Sequence, residues 1–299
     1  MSVHVDEGPA PLRLTGEGNG RRRLVNRLME ALATVTAVIA VAVLAIVVGS
    51  VAIKGASAIN LDFFTKSPAP FGQAGGGIAN SIVGTAILVA LAAVIALPIG
   101  ILIGVHASEF ARPRVSSAVR FALDILSGVP TIVTGIFVFG LLVVGHVQSG
   151  YAGSVALAII MLPIVARSSQ EVLALVPQTL REGALALGVS RWRMVLRVVL
   201  PAAASGLITG ALLGVARIAG ETAPLLFTSS IAASTVTTNV SQALPSIPVT
   251  IFTLSESPSP SDHAQGWAAA LLLILFVLTL SVLARVLHGR SQRRLQGRS

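Results

Sequence analysis

In the stretch GVARIAGETAPLLF, residues 214–227, Arg217 and Glu221 stand four apart in otherwise apolar text. On a helix that spacing brings both side chains to one face. An unpaired Arg at mid-bilayer costs about 2.5–3.5 kcal/mol on insertion scales, and a carboxylate one turn away lowers that cost. Two chemistries fit. Either the pair neutralises itself as buried structure, or the guanidinium meets a passing anion while the carboxylate limits how tightly it is held. Gly220 and Pro224 break the helix around the pair. Broken helices at membrane depth are tolerated only where they face protein or a cavity, which tilts the reading toward a permeation route.

A second interruption lies in LDILSGVPTIVTGIF, residues 123–137. Gly128 and Pro130 disrupt the helix, Ser127, Thr131 and Thr134 can re-satisfy freed backbone groups, and Asp124 lies one turn before the break. This is either a kink whose Gly128 and Gly135 permit close helix approach, or a gate that lines the path. The third interruption, REGALALGVSRWRMVLRVVLP over residues 181–201, is charged. Pro177 ends the preceding helix, and a short helix over about 178–188 follows. Gly188 is its natural stop, Ser190 an N-cap for the next helix, and Pro201 marks or kinks the start of the membrane portion. Leu180, Ala184 and Leu187 are expected on one face of the short helix, with Arg181 and Glu182 leading off the other. It either lies in the headgroup layer, held by Leu180, Leu187 and Trp192, or docks another protein, being small at Gly183 and Ala184.

The elements that carry these residues must be membrane helices. The 299 residues are 54% hydrophobic and 11% charged, with a mean hydropathy of +0.86, whereas soluble domains carry about 25% charged residues. Runs that qualify as spans lie at 31–53, 81–105, 121–144 and 271–287, the last extended upstream by Trp267. Those at 152–166 and 201–218 are short, the first gaining length through the Gly150–Gly153 turn and the second if its helix begins near Arg193. In chain order, the third qualifies with Asp124 near an end, and the fourth places Arg167 and Glu171 in the cytoplasm. Basic residues cluster before the first run (Arg21, Arg22, Arg23, Arg27), after the second (Arg112, Arg114, Arg120), after the fourth (Arg181, Arg191, Arg193, Arg197) and after the sixth (Arg285, Arg290, Arg293, Arg294, Arg298). The alternate loops hold only Lys54 and Lys66, and residues 222–265 hold neither Lys nor Arg. Six spans with both termini cytoplasmic satisfy this bias. Residues 1–28 are expected as a disordered basic tail, 29–289 as the transmembrane domain and 290–299 as a second basic tail. The first run exceeds the 7–15 residues of a signal peptide, so an uncleaved anchor is favoured over cleavage near Ala56–Ala58.

Several classes of function are poorly supported. There is no cysteine, hence no disulfide or thiol catalysis. His4, His106, His146, His263 and His288 are scattered without ligand spacing, so no metal site is expected. The net charge of +9 comes with only 4% aromatics and dispersed basic residues, which argues against nucleic acid. FGQAGGGIANS, residues 71–81, lacks the Gly-Lys-Ser/Thr ending of a phosphate-cradling loop. It reads as a flexible entry to the second span with Asn80 or Ser81 as N-cap. No ATP-binding signature is present, so any energy source lies in a partner or an ion gradient.

The charged stretch resembles the EAA signature of ABC importer permeases: E-A-A, three residues, G, nine residues, I-x-L-P. Glu182, Gly183, Ala184, Gly188, Val198, Leu200 and Pro201 occupy its places, with Gly183 for the first Ala and Val198 for Ile. In that family the short helix is the coupling helix, which inserts into a cleft on a cytosolic ATPase. The resemblance thus assigns Glu182, Gly183, Ala184 and Gly188 to coupling. LSGVPTIVTGIFVFG, RIAGETAPLLFT and IPVTIFTLSESPS, in that order along the chain, resemble the permeases of phosphate importers. The similarity runs from the first span to the last. It implies an all-α, six-span, type I ABC importer (MetI-like) permease fold in a bacterial inner or plasma membrane.

The implied partners are a homologous permease, two cytosolic ATPases that bind ATP and Mg, and an extracytoplasmic phosphate-binding protein. This chain itself would bind no cofactor and would not be an enzyme. Carried over with that reading, Arg217 and Glu221 meet or gate phosphate, Thr131 and Thr134 line its path, and Gly128, Pro130, Gly220 and Pro224 serve as gate breakers. Residues 222–265 would contribute to the outer gate and the binding-protein surface. The nearest alternative is a permease for sulfate or molybdate. An ATP-independent secondary transporter using Arg217, Glu221 and Asp124 would show inverted repeats, and no convincing pair of repeated halves is seen.

Overall fold

The computed structural model describes residues 19–69, 75–230 and 235–295. Among these, extended structure is confined to one isolated bridge between Pro68 and Gly76, and every longer element is helical. The chain divides into two units, Met1–Ser50 and Val51–Ser299. Helix α1, Asn19–Gly55, begins inside the expected tail, so residues 19–28 are helix; residues 1–18 lie outside the described residues. In the first unit its apolar side chains, Leu32, Val38 and Leu44 among them, are exposed on all sides. That suits a helix whose solvent is lipid.

The second unit begins with the end of α1, a 3-10 turn Ala56–Ala58 and α2, Leu61–Thr65. Within the Gly-rich entry, residues 71–74 lie outside the described residues, and Gly75 and Gly76 take φ of +103° and +77°. Helix α3, Ala79–Val105, has Ile78 at its N-cap. Neither expected cap serves: Asn80 and Ser81 already lie in the first turn, where Asn80 Oδ1 accepts from the Ser81 N–H and Ser81 Oγ bonds Thr250 Oγ1 at 2.6 Å. A π turn, His106–Phe110, extends α3.

The third expected span is not continuous. Helix α4, Pro113–Gly128, and α5, Thr131–Val138 with its π extension Phe139–Val143, meet at an angle of 91°. Helix α6, Gly150–Ala174, is longer than its apolar run, because the helix continues through Arg167 and Glu171. This extension stops just short of Pro177, the end expected for it, and Arg167 within it pairs with Asp124. Then come α7, Gln178–Ala186, and α8, Arg191–Met194, which passes through a π turn, Val195–Val199, into α9, Leu200–Ala219. Pro201 sits in the first turn of α9. Short helices α10, Ala223–Thr228, and α11, Ile247–Ser255, precede α12, Pro260–Leu295. Among the described residues, five helices are long and apolar enough to cross a membrane, and six spans result if the bent α4–α5 pair counts as one.

Small residues set the packing. Helices α3 and α6 run parallel, with Leu88 against Gly153 at one end and Gly104 against Ser169 at the other. On α9, Gly206, Gly210 and Gly214 lie four apart and face Val172, Ser168 and Met161 of α6 in turn. Such stripes let helix backbones approach where lipid supplies no hydrophobic drive for association. Leu88, Leu157, Met161, Val165, Ile218 and Leu225 close the core between these helices.

Candidate functional site

The broken ends of α4–α5 and of α9–α10 converge. Helix α9 stops at Ala219, and Gly220 occupies its C-cap. The Glu221 N–H donates to the Ile218 carbonyl at 3.1 Å, which turns the chain and leaves Glu221 just past the helix. Pro224 lies in the first turn of α10, where its missing N–H costs nothing. Glu221 is buried at 6% exposure and forms an ion pair with Arg217, whose side chain remains 56% exposed. The carboxylate is thus held by the protein, while the guanidinium is presented outward.

What Arg217 faces is a cleft of about 240 Å³ that it shares with Ser127, Thr131 and Thr134 from the α4–α5 break and Ile160 and Pro163 of α6. Ser127 Oγ donates to the Leu123 carbonyl at 2.8 Å, as a helix end requires. Neither Thr131 nor Thr134 engages its hydroxyl with another side chain or carbonyl among the described residues. One guanidinium, hydroxyl donors and apolar walls can receive a compact oxyanion.

One turn along α4 from Ser127 and along α6 from Pro163 stands a second ion pair, Asp124 with Arg167. The hydropathy pattern placed Arg167 in the cytoplasm and gave no sign of this partnership. Two ion pairs therefore flank the hydroxyl-lined cleft. Of the expected breakers and close-approach glycines, Gly135 packs directly on Pro224. Gly128 behaves differently, since a Cβ added there would meet nothing within 4 Å among the described residues, and it makes no close helix contact.

The outer loop contributes less surface than expected. Leu244, Ile247 and Val249 are buried, the Ile247 N–H donates to Thr85 Oγ1 at 2.8 Å, and Ser229 Oγ is bonded to both the N–H and the carbonyl of Leu244. Much of IPVTIF is therefore core.

At the opposite end lies the charged loop. Helix α7 closes with Gly188 at φ +73°, its N–H donating to Leu185 O and the Val189 N–H to Ala184 O. These two bonds are the Schellman pattern, which calls for a left-handed residue at this position. Ser190 stands at the N-cap of α8 but makes no side-chain cap bond. The expected faces of α7 need correction. Ala184 is buried against Leu173, Met194 and Val199, and so is turned away from any partner. Glu182 and Gly183 are exposed, as are Leu180 and Leu187. Arg181, expected to lead outward, turns inward to Glu109 of the π turn after α3. A buried carboxylate attracts the guanidinium more strongly than water does once two helix-end carbonyls share it. Glu109 gave no signal in the sequence beyond being an acid in a basic loop.

Residues 96–297 match the family described as binding-protein-dependent transport system inner membrane component. The chain is 41% identical over 273 residues to the phosphate transport system permease protein PstA of Yersinia pestis, covering 91% of this chain and 92% of that protein. It is 39% identical to the PstA of Haemophilus influenzae over 269 residues, covering 89% and 94%. Among solved structures, a bacterial alginate ABC transporter with its periplasmic protein superposes at a TM-score of 0.63 and 13% identity, covering 88% of this chain and 94% of that one. The MetNI methionine ABC transporter in an inward-facing form gives 0.52 at 18% identity, covering 71% and 94%. At such identities these structures speak to the fold alone.

Proposed function

The chain belongs to the binding-protein-dependent transport system inner membrane components, and among them to the PstA-type phosphate transport permeases; from that premise we propose that Arg217, tethered by Glu221 and faced by Thr131 and Thr134, meets phosphate in transit. The protein is a multi-pass membrane permease subunit of a phosphate ABC importer, working with an ATPase and a binding protein. In our reading a PstC-like permease completes the pathway and PstB-like ATPases dock on the cytoplasmic side. They carry ATP and its Mg²⁺, and this chain carries no cofactor. A PstS-like protein delivers phosphate from outside. The Arg-rich loops support cytoplasmic placement of both termini.

The observation that carries the site is convergence. Segments near residues 131 and 217, far apart in sequence, line one cleft, and a buried carboxylate neutralises its one guanidinium. The planar fork of Arg suits a phosphate oxyanion. Because Glu221 already occupies the guanidinium, an arriving phosphate exchanges one anionic partner for another instead of entering a bare trap. Transport needs such weak, replaceable holding. The Asp124–Arg167 pair offers the same exchange one turn further along. Motion comes from alternating access, with ATPase closure entering through the exposed Glu182–Gly188 region and Ala184 acting from within, as the inner packing of α7.

The test is uptake by the reconstituted complex, with labelled phosphate and labelled sulfate compared. Arg217→Gln is expected to abolish phosphate uptake while all subunits still co-purify. Loss of assembly instead makes the ion pair structural, and equal import of sulfate removes the substrate assignment.

A further inference from the structure

The Arg181 side chain does more than pair with one acid. Its Nη2 donates to Glu109 Oε1 at 2.7 Å and to the Leu173 carbonyl at 2.8 Å. Its Nη1 donates to the Val176 carbonyl at 2.6 Å, and its Nε lies 3.3 Å from both Glu109 oxygens. All three guanidinium nitrogens are engaged. Leu173 lies in the last turn of α6 and Val176 just past its C-cap, where carbonyls at a helix end favour a cation. Glu109 is 4% exposed and the Arg181 side chain 13%. A charge pair this buried is costly to break from one side, because the surviving charge is left without compensation.

The acid sits where helices join. Glu109 is in the π turn that ends α3, and α4 starts at Pro113, four residues on. Helix α4 carries Asp124 and Ser127 to the cleft, and α6 carries Ile160 and Pro163 to it. The same π turn is also gripped from α8, with Arg191 standing 5.7 Å over the Phe110 ring. π turns recur at functional positions because they tolerate a register change within a helix.

We propose that Arg181 and Glu109 are positioning residues that tie the coupling helix α7 to the α3–α4 junction and to the end of α6, so that one displacement of α7 reaches two walls of the cleft together. The proposal rests on the reading of α7 as the ATPase-docking helix. Without the pair, α7 still follows the ATPases, since its outer face is intact, but its movement is lost before α4.

The experiment uses the complete complex of both permeases, ATPases and binding protein in proteoliposomes, with ATP hydrolysis and phosphate uptake measured on the same sample. Glu109→Gln preserves shape and removes the charge; Arg181→Lys preserves the charge and removes the fork. In Glu109→Gln the subunits are expected to co-purify as in wild type and hydrolysis to persist, while ATP consumed per phosphate imported rises about tenfold, within the range of coupling changes seen when linking residues are altered. Arg181→Lys should fall between this and wild type. Hydrolysis and uptake that decline in proportion, ATPases that fail to co-purify, or an unchanged ratio each overturn the proposal. A separate variant on the exposed face, Leu187→Glu, tests the premise. If it leaves ATPase binding intact, α7 is not the docking helix, whatever Glu109→Gln shows.

Discussion

Gly135 and Pro224 touch backbone to backbone: a Cβ on Gly135 would stand 2.6 Å from the Cα of Pro224. The two broken segments of the chain are in register with each other only because one of them has no side chain at the crossing. Neither side of this contact is flexible, since a main-chain atom cannot rotate aside.

Gly135→Ala is therefore expected to lower the stability of the purified complex by about 1–3 kcal/mol, the usual cost of overpacking. Gly128→Ala, whose site is open, should leave the thermal midpoint unchanged. A comparison of the two melting curves checks this, and equal shifts would mean that the crossing is not tight.

Glu221→Gln removes the counter-charge that Arg217 already holds. Phosphate should then bind more firmly and leave more slowly, so that uptake falls while more isotope stays on the washed, solubilised complex. Retention equal to wild type would show that the carboxylate has no part in release.

The Asp124–Arg167 pair is about half exposed on each side, at 52% and 41%. Exposed pairs contribute under about 1 kcal/mol to stability. Asp124→Asn should accordingly shift the melting midpoint little but reduce uptake several-fold. A melting shift that accounts for the whole loss of uptake would reduce the pair to a structural tie.

Gly188 has open space around it, so a methyl group there meets nothing. Its φ of +73° is the obstacle, and an L side chain in that region costs roughly 1–2 kcal/mol. Gly188→Ala should loosen the end of α7 and raise ATP consumed per phosphate imported. Gly188→Asn should do so less, because Asn tolerates left-handed backbone better.

What could be read from the sequence was local. Apolar runs located the spans, Gly220 and Pro224 announced the end of α9, and the spacing of Glu182 to Pro201 located α7 and its stop at Gly188. Charge was where local reading failed. The extension of α6 past Arg167 toward Pro177 was legible, but the partner of Arg167 was not, because Asp124 lies on another helix. Arg181 was assigned outward by helical periodicity, but Glu109, 72 residues earlier, turns it inward. Periodicity on α7 likewise grouped Leu180, Ala184 and Leu187, whereas packing buries Ala184 alone and leaves both leucines outside. The 91° bend between α4 and α5 was visible as a break at Gly128 and Pro130, but its angle depends on what α5 meets, namely Pro224.

Helix α6 connects two of these regions as a single stiff rod. Its Leu173 carbonyl receives Arg181, and its Pro163 lines the cleft about ten residues and about 15 Å away at 1.5 Å per residue. Tilting such a rod by about 5° about its charged end displaces the cleft wall by about 1.3 Å, comparable to the helix shifts of about 1–2 Å that operate other switches. The geometry is that of a lever with a long outer arm. A movement at the loop too small to unseat one hydrogen bond is large enough, at the other end, to decide whether an anion fits.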